Sequence, residues 1–475
     1  MTTQATNIAE MKTYGASMSD GDSLDILGYY AAGDGGGGKF YWDATSTDTD
    51  NGGTIIQATG VTTGRWLRVF TGAANVKWFG AKGGNVSTED DLAAIQAAVD
   101  LDVGVYLPVG EYYISATLNL TSSAGFTGQS NNLASSGYSK PHLGVKIINN
   151  TAGDCAYFDW SYDGSITNVH FSSTYGHALV FAGVRCRYTD VSLYAAAADK
   201  SCLKLVDGGQ AHSNVFDGGQ WLVDPNITRT APVVDITSAS TYFNGNVFKN
   251  MWIHSHKSTT IQAIKLELTV TGSYLYNNMF DNVIFEVCEG GAFSLAGTAH
   301  TVINNCAMWD TTTYNNDIIL VRPLGTGPGE SPAYQTRELR ILGFERAGSV
   351  LASGKHDIKL GYARNTLITN FHHAGSAGPS SINYGNTVTT LQGEAPANES
   401  GLINVTKLTS SITANNYTLI KAGGPIISAG TGSPEGVHAY PQGSLYMRTD
   451  GINATTMYVK MSADSSSTSW VAHTP

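Results

Sequence analysis

The chain has 475 residues and little charge, with Asp, Glu, Lys and Arg making up only 14% of it. What charge there is leans acidic, net −11 with a pI near 5.5. Binding to nucleic acid needs a basic face, so nucleic acid is excluded as a partner. An anionic glycan would need local basic groups, which the net charge does not report. Amphipathic segments of helical period are nearly absent. No run of 18 apolar residues occurs, so no membrane insertion is expected, and the first residues carry no charged-then-apolar export signal. Cysteine is scarce and odd in number, at 155, 186, 202, 288 and 306. No pair has zinc spacing. Cys202 and Cys306 sit at apolar strand positions, which reads as buried free thiols in a chain folded in a reducing cytoplasm. His372 and His373 are adjacent on a strand and point to opposite faces, so no metal site and no cofactor are expected. The run Gly33-Asp34-Gly35-Gly36-Gly37-Gly38 is not followed by Gly-Lys-Ser/Thr and opens no helix, which excludes a phosphate loop.

Glycine, by contrast, is plentiful at 54 residues, as a turn-rich β protein requires. Eight short stretches between 165 and 372 superpose: Thr167-Asn168-Val169, Thr189-Asp190-Val191, Asp217-Gly218-Gly219, Lys249-Asn250-Met251, Asp281-Asn282-Val283, Asn304-Asn305-Cys306, Arg340-Ile341-Leu342 and Thr369-Asn370-Phe371. The middle column is mostly Asn; Gly218 and Ile341 break it. Its step varies from 22 residues (168 to 190) to 36 (305 to 341), as in a solenoid whose coils share a core unit and differ in their loops. Apolar residues fall one and three places after the column, as Val169 and Phe171, Val191 and Leu193, Val283 and Phe285. This period of two marks strands with one inward face. A second set of apolar runs alternates with the first, from Ala178–Phe181 to Ile318–Val321. Two strand columns per coil predict an all-β chain built on a right-handed single-stranded parallel β-helix, with asparagines hydrogen-bonded rung to rung at a corner. The alternative is a β-sandwich with Asn-rich turns.

Residues 1–75 read as a separate small β module, with a turn cluster before Lys39-Phe40-Tyr41-Trp42 and a closing Gly64-Arg65-Trp66-Leu67-Arg68-Val69. The clearest helix spans 88–100, with Thr88 as its N-cap and acids in its first turn. It is placed to cover the open end of a solenoid core. Two strands follow across a Pro/Gly turn in Val103–Ile114. The Gly-rich Phe-Tyr-Trp-Asp module resembles the head region of bacteriophage tailspikes. Trp78-Phe79-Gly80-Ala81-Lys82-Gly83, the helix Asp90-Asp91-Leu92-Ala93-Ala94-Ile95-Gln96-Ala97-Ala98 and Tyr106-Leu107-Pro108-Val109-Gly110-Glu111-Tyr112-Tyr113-Ile114 resemble the start of their pectate-lyase-like β-helix. That family often reads Lys-Gly-Asp-Gly-x-x-Asp-Asp where this chain has Lys82-Gly83-Gly84 and then, after Thr88, Glu89-Asp90-Asp91. Gly443-Ser444-Leu445-Tyr446-Met447-Arg448-Thr449-Asp450-Gly451 and the segments after it resemble a tip module of phage fibres and spikes. The resemblance implies a head or particle-attachment module at 1–75, a receptor-binding and catalytic β-helix at 76–400 and a tip or trimerisation module at 401–475. It carries no active-site residue, because these spikes share no catalytic motif.

Places two and four past the asparagine column point outward. Laid on adjacent rungs, they gather Trp252, His254, Glu286, Trp309 and Glu345 into one patch, with Asp310 and Arg346 just beyond. Aromatic faces beside paired carboxylates suit a sugar-cleaving groove: the ring stacks on a pyranose, one carboxyl donates a proton and another activates water. Glu286 and Glu345 are expected two rungs apart, about 9–10 Å between backbones, near the upper end of the inverting spacing of about 6.5–9.5 Å. Asp310, on the rung between, would shorten the gap. Trp252, His254, Trp309 and Arg346 are then the substrate-binding groups. Asp235 and Glu267 form a second, weaker outward pair.

The resemblance implies an elongated homotrimer in the phage tail, made in the host cytoplasm and acting at the bacterial surface. Its N-terminal module would hold a tail or baseplate protein. It would bind and depolymerise a bacterial surface polysaccharide, whether capsule, exopolysaccharide or O-antigen. Paired acids and aromatics favour a glycoside hydrolase. A polysaccharide lyase would use His254 as base and Arg346 to neutralise a uronate. A binding-only fibre is the non-enzymatic alternative. A deacetylase would need a nucleophile-base or metal arrangement, which the sequence does not display.

Overall fold

The computed structural model describes residues 3–383 and 417–473, apart from short internal segments of which 131–143 and 323–335 are the longest. From Ala74 to Asn383 the chain winds as a right-handed parallel β-helix. Each coil carries three strands rather than the two columns expected, as in Ser165–Thr167, His170–Ser173 and Leu179–Val184. From the fourth repeat the first two fuse into eight-residue strands, Val247–His254, Met279–Glu286, Val302–Trp309, Arg340–Ala347 and Leu367–Ala374. These pair in parallel, in register.

Two corners per coil turn on left-handed residues, single except where Gly218 and Gly219 follow one another. The first column holds Asp163, Arg185, Ser213, Gly245, Asn277, His300 and Glu338. The second lies five residues later in every coil: Asn168, Asp190, Gly218, Asn250, Asn282, Asn305 and Gly343. Left-handed backbone is cheapest for Gly, and for Asn and Asp among the rest, which is why the second column reads as an asparagine ladder. Ile341 is not a member of it. Asn304 pairs with Leu342 and Cys306 with Phe344, so Asn305 faces Gly343, whose φ is 96°. Ile341 instead stacks over Ile303 inside the core.

The expected rung-to-rung bonding is present in part, since the Asn282 side chain donates to Asn250 and Asn250 donates to Asp217. A second ladder lies one residue after the first corner and is fully buried. Asn214 donates to Asn246 at 2.9 Å and Asn246 to Asn278 at 3.1 Å. Their other N–H groups go to the carbonyls of Gly183, Ala211 and Phe243. Buried turn backbone without such partners would cost free energy at every coil. Between the corners, Tyr188, Phe216, Phe248 and Phe280 stack face to face, with centroids 4.1, 4.6 and 5.0 Å apart. Each such pair contributes about 0.5–1.5 kcal/mol beyond the burial of its rings.

A helix at Leu92–Val99 covers the N-terminal end of this core, burying Ile95, Ala98 and Val99. Its N-cap position is Asp91 rather than Thr88. The Asp91 carboxylate turns away from the helix to accept the Lys82 and Gly83 N–H groups. Ahead of it, residues 3–68 form a five-stranded sheet. Arg68 clamps that sheet to the β-helix, bonding the carbonyls of Gly36, Gly37 and Gly53 and lying 4.8 Å over the Trp78 ring. A second five-stranded sheet spans 417–472. All five cysteines are buried free thiols. Among the described residues no helix is long and apolar enough to cross a membrane, and no group of metal-ligating side chains occurs.

Candidate functional site on the outer face of the coils

The strands that follow the second corner present every other side chain to solvent. Four places after the corner, Leu222, His254, Glu286 and Trp309 lie on successive rungs. His254 Nε2 is 3.6 Å from a Glu286 carboxylate oxygen, and its Nδ1 meets the Ser255 hydroxyl. Ser255 is buried in a left-handed corner of its own. Two places after the corner come Ser192, Gln220, Trp252, Ile284, Ala307 and Glu345. Trp252 and Trp309 are exposed, at 37% and 38%, and flank the half-buried His254–Glu286 pair. Large aromatics left in water beside a carboxylate are a sugar-stacking arrangement.

Two expected members fall elsewhere: Glu345 because the ladder position is Gly343, and Arg346 because alternation from Phe344 turns it inward. Glu345 pairs with Ala307, not with Trp309, so it stands two rungs and two residues from Glu286. Rung and rise spacings give about 12 Å between those α-carbons, more than the expected separation. Glu345 is exposed, and small Ala307 lies on the rung between. Arg346 points inward, in the column of Phe285 and Met308. It is 1% exposed, bonded to Asp357, which is itself fully buried, and stacked 5.4 Å from Tyr314. It is a core residue and holds no substrate. Asp310 lies outside the described residues.

Next to the patch, and sharing Trp252 with it, is a cleft of about 730 Å³. It runs along the second corner from Gln129 and Ser130 through Asn168, Asp190 and Gly218 to Asn250, with Ser192 and Gln220 on one side and Asp217 on the other. Lys249 Nζ lies 2.9 Å from Asp217, and Asn250 donates to the same carboxylate at 2.8 Å. The Lys249 bond and then the Asn250 bond hold the Asp217 carboxyl below its usual range.

Residues 4–71 match the family described as phage tail protein small four-stranded beta-sheet domain. Residues 73–184 match rhamnogalacturonase A/epimerase, pectate lyase-like. Among solved structures, the tailspike protein gp49 from Acinetobacter baumannii bacteriophage Fri1, a capsular polysaccharide depolymerase, superposes with a TM-score of 0.52 at 15% identity, over 83% of this chain and 79% of that one. The chain shares the parallel β-helix fold of that tailspike protein. The tailspike protein of Acinetobacter phage vB_ApiP_P1 gives 0.50 at 16% identity, over 88% and 79% of the two chains. At such identities the likeness is one of fold.

The β-helix register also decides the second carboxylate pair. Asp235 aligns with Lys265, and Glu267 with Thr237, so the two acids are offset along their strands. Lys204 bonds Asp235, while Lys265, Arg322 and Ser294 surround nearly buried Glu267. With each acid neutralised by cations, this face is a structural charge network. The cleft residues Asp190 and Asp217 are not among the expected candidates; the signal for the cleft in the sequence is the Gly218 break in the asparagine column.

Proposed function

We propose that the chain is a phage tailspike that binds and depolymerises a bacterial surface polysaccharide by glycosidic hydrolysis. The observation that carries this reading is the solvent-exposed pair Trp252 and Trp309 flanking Glu286 and His254, on a face continuous with a polar cleft. The likeness of fold to a capsular polysaccharide depolymerase supports the same substrate class. The tryptophans stack on sugar rings. Glu286 donates a proton to the glycosidic oxygen, and His254 fixes the orientation of its carboxyl. The second carboxylate, which activates water, is Glu345 leaning across Ala307, or Asp310. Hydrolysis is favoured over β-elimination by Arg346: a lyase needs a cation on the uronate, and this guanidinium is buried on Asp357. We assign residues 1–75 to attachment on a tail or baseplate protein, 76–400 to receptor binding and catalysis, and 401–475 to the tip of a homotrimer. The virion tail is the place of action, at the bacterial surface.

The test is Glu286→Gln and Glu345→Gln, each assayed on purified capsules, exopolysaccharides and O-antigens. General acid–base work contributes about 10²–10⁴-fold, so loss of either carboxyl should lower turnover by at least about two decades while polysaccharide still binds. New reducing ends should form without the ultraviolet absorbance of a conjugated enoate. Full activity in both variants would move the catalytic centre off this patch. No shortening of any polysaccharide by the unaltered protein would make it a binding fibre.

A further inference from the structure

The cleft beside Trp252 exists because the corner column lacks a side chain at one coil. Asn168, Asn250, Asn282 and Asn305 show that asparagine satisfies this left-handed corner, so backbone strain alone does not demand glycine at 218. A Cβ on Gly218 would sit 2.3 Å from Asp190 Oδ1, and one on Gly219 would sit 2.1 Å from the Val191 carbonyl oxygen. Two successive glycines therefore let the Asp190 carboxylate lie over the next rung, and leave open a space within the range of about 300–1,000 Å³ typical of small-ligand sites.

The lining carries two carboxylates, one of them paired with Lys249 from outside the cleft. Asp190 faces Gly218 and Asp217 follows Thr189 in register, so their α-carbons are about 6 Å apart on adjacent rungs. Lys249 and Asn250 hold Asp217 in place from the next rung. Gln220 and Asn250 add side-chain amides, and Trp252 closes one end with an exposed ring. Among the described residues that line the cleft, none is cationic. Two carboxylates on adjacent rungs accept hydrogen bonds from neighbouring hydroxyls or from an N–H group of a sugar. Lys249 offsets one of the two charges, so the pair keeps a net negative charge that disfavours a further carboxylate: like charges about 5 Å apart at a protein surface cost about tenfold or more in affinity.

We propose that the Gly218–Gly219 cleft is a saccharide subsite that selects an uncharged or amino-bearing pyranose and rejects a uronate. The inference rests on the reading that this face holds the polysaccharide chain, and it names the class of sugar that the face accepts.

The test uses the full chain with purified surface polysaccharides of two kinds, one with neutral or amino sugars only and one with a uronate in every repeat. The unaltered protein should bind and shorten a polysaccharide of the first kind and bind the second at least about tenfold more weakly. Gly218→Asn, which restores the ladder residue and fills the cleft, should raise KM about tenfold or more with little change in kcat. Asp190→Asn, a smaller change at an exposed position, should raise KM in the same direction and narrow the discrimination against uronates. A KM in both variants equal to that of the unaltered protein, or binding of the uronate polymer as tight as that of the neutral one, would overturn the proposal. If the unaltered protein neither binds nor shortens any polysaccharide, the reading of the whole face falls and the subsite with it. Cleavage untouched by both substitutions removes the subsite alone.

Discussion

His256 should set how this protein responds to acid. Its ring is completely buried, and neither nitrogen makes a hydrogen bond of normal geometry. A Cβ on Gly290 would lie 2.7 Å from the ring, so the pocket is tight. Burial pushes the imidazole pKa down from 6.5 to about 3; the Arg229 guanidinium adds to the shift and the Ala231 main chain opposes it. The unfolded chain therefore takes up a proton below 6.5 while the folded one stays neutral until about 3. Stability from this group is complete above 6.5 and is lost as pH falls through that window. At pH 4 the group is about 2.5 units inside it, and at about 1.36 kcal/mol per unit the loss is about 3 kcal/mol. His256→Leu keeps a similar volume without a titrating ring. Guanidinium unfolding at pH 7.5 and pH 4 should show a drop between the two that is smaller by about that amount in the variant, with stability at pH 7.5 little changed. An equal drop in both proteins would refute the assignment of the acid sensitivity to His256.

Trp252→Ala and Trp309→Ala should each raise KM severalfold and leave kcat nearly unchanged, because stacking acts on ground and transition states alike; steady-state rates on a sensitive polysaccharide check this. Arg346→Met strands the buried Asp357 carboxylate and should destabilise by about 3–5 kcal/mol, seen as a lower unfolding midpoint, while the folded protein keeps its KM. An increased KM would return Arg346 to the substrate. Phe248→Ala opens the ring stack between Phe216 and Phe280 and should cost about 3–5 kcal/mol in the same assay.

The primary sequence by itself determined the architecture, because the demands of a β-helix are local. Inward residues must alternate with outward ones, and left-handed corners favour Asn, Asp or Gly, so Val169, Phe171, Asn250 and Asn282 announce the coil wherever it recurs. The patch of Trp252, His254, Glu286 and Trp309 was legible for the same reason, while the N-terminal and C-terminal β modules and the capping helix were legible from turn clusters, capping signals and the resemblance. The patch needs only adjacent rungs and a shared parity.

The register of the Arg340–Ala347 strand was decided only by the tertiary structure. Sliding it by two residues leaves every side chain on the same face, so alternation cannot tell Ile341 from Gly343 at the corner. The slip nonetheless moves Glu345 away from Glu286. Arg346 was misread although alternation from Phe344 already turned it inward. A core arginine is tolerated only when paired, and its partner Asp357 is on another segment of the coil. The buried Asn214–Asn246–Asn278 ladder likewise depends on which carbonyls converge at the first corner, and the cleft depends on what Gly218 omits between Asp190 and Asn250. These features arise between rungs that are distant in the chain, where packing and not local pattern fixes which side chains meet.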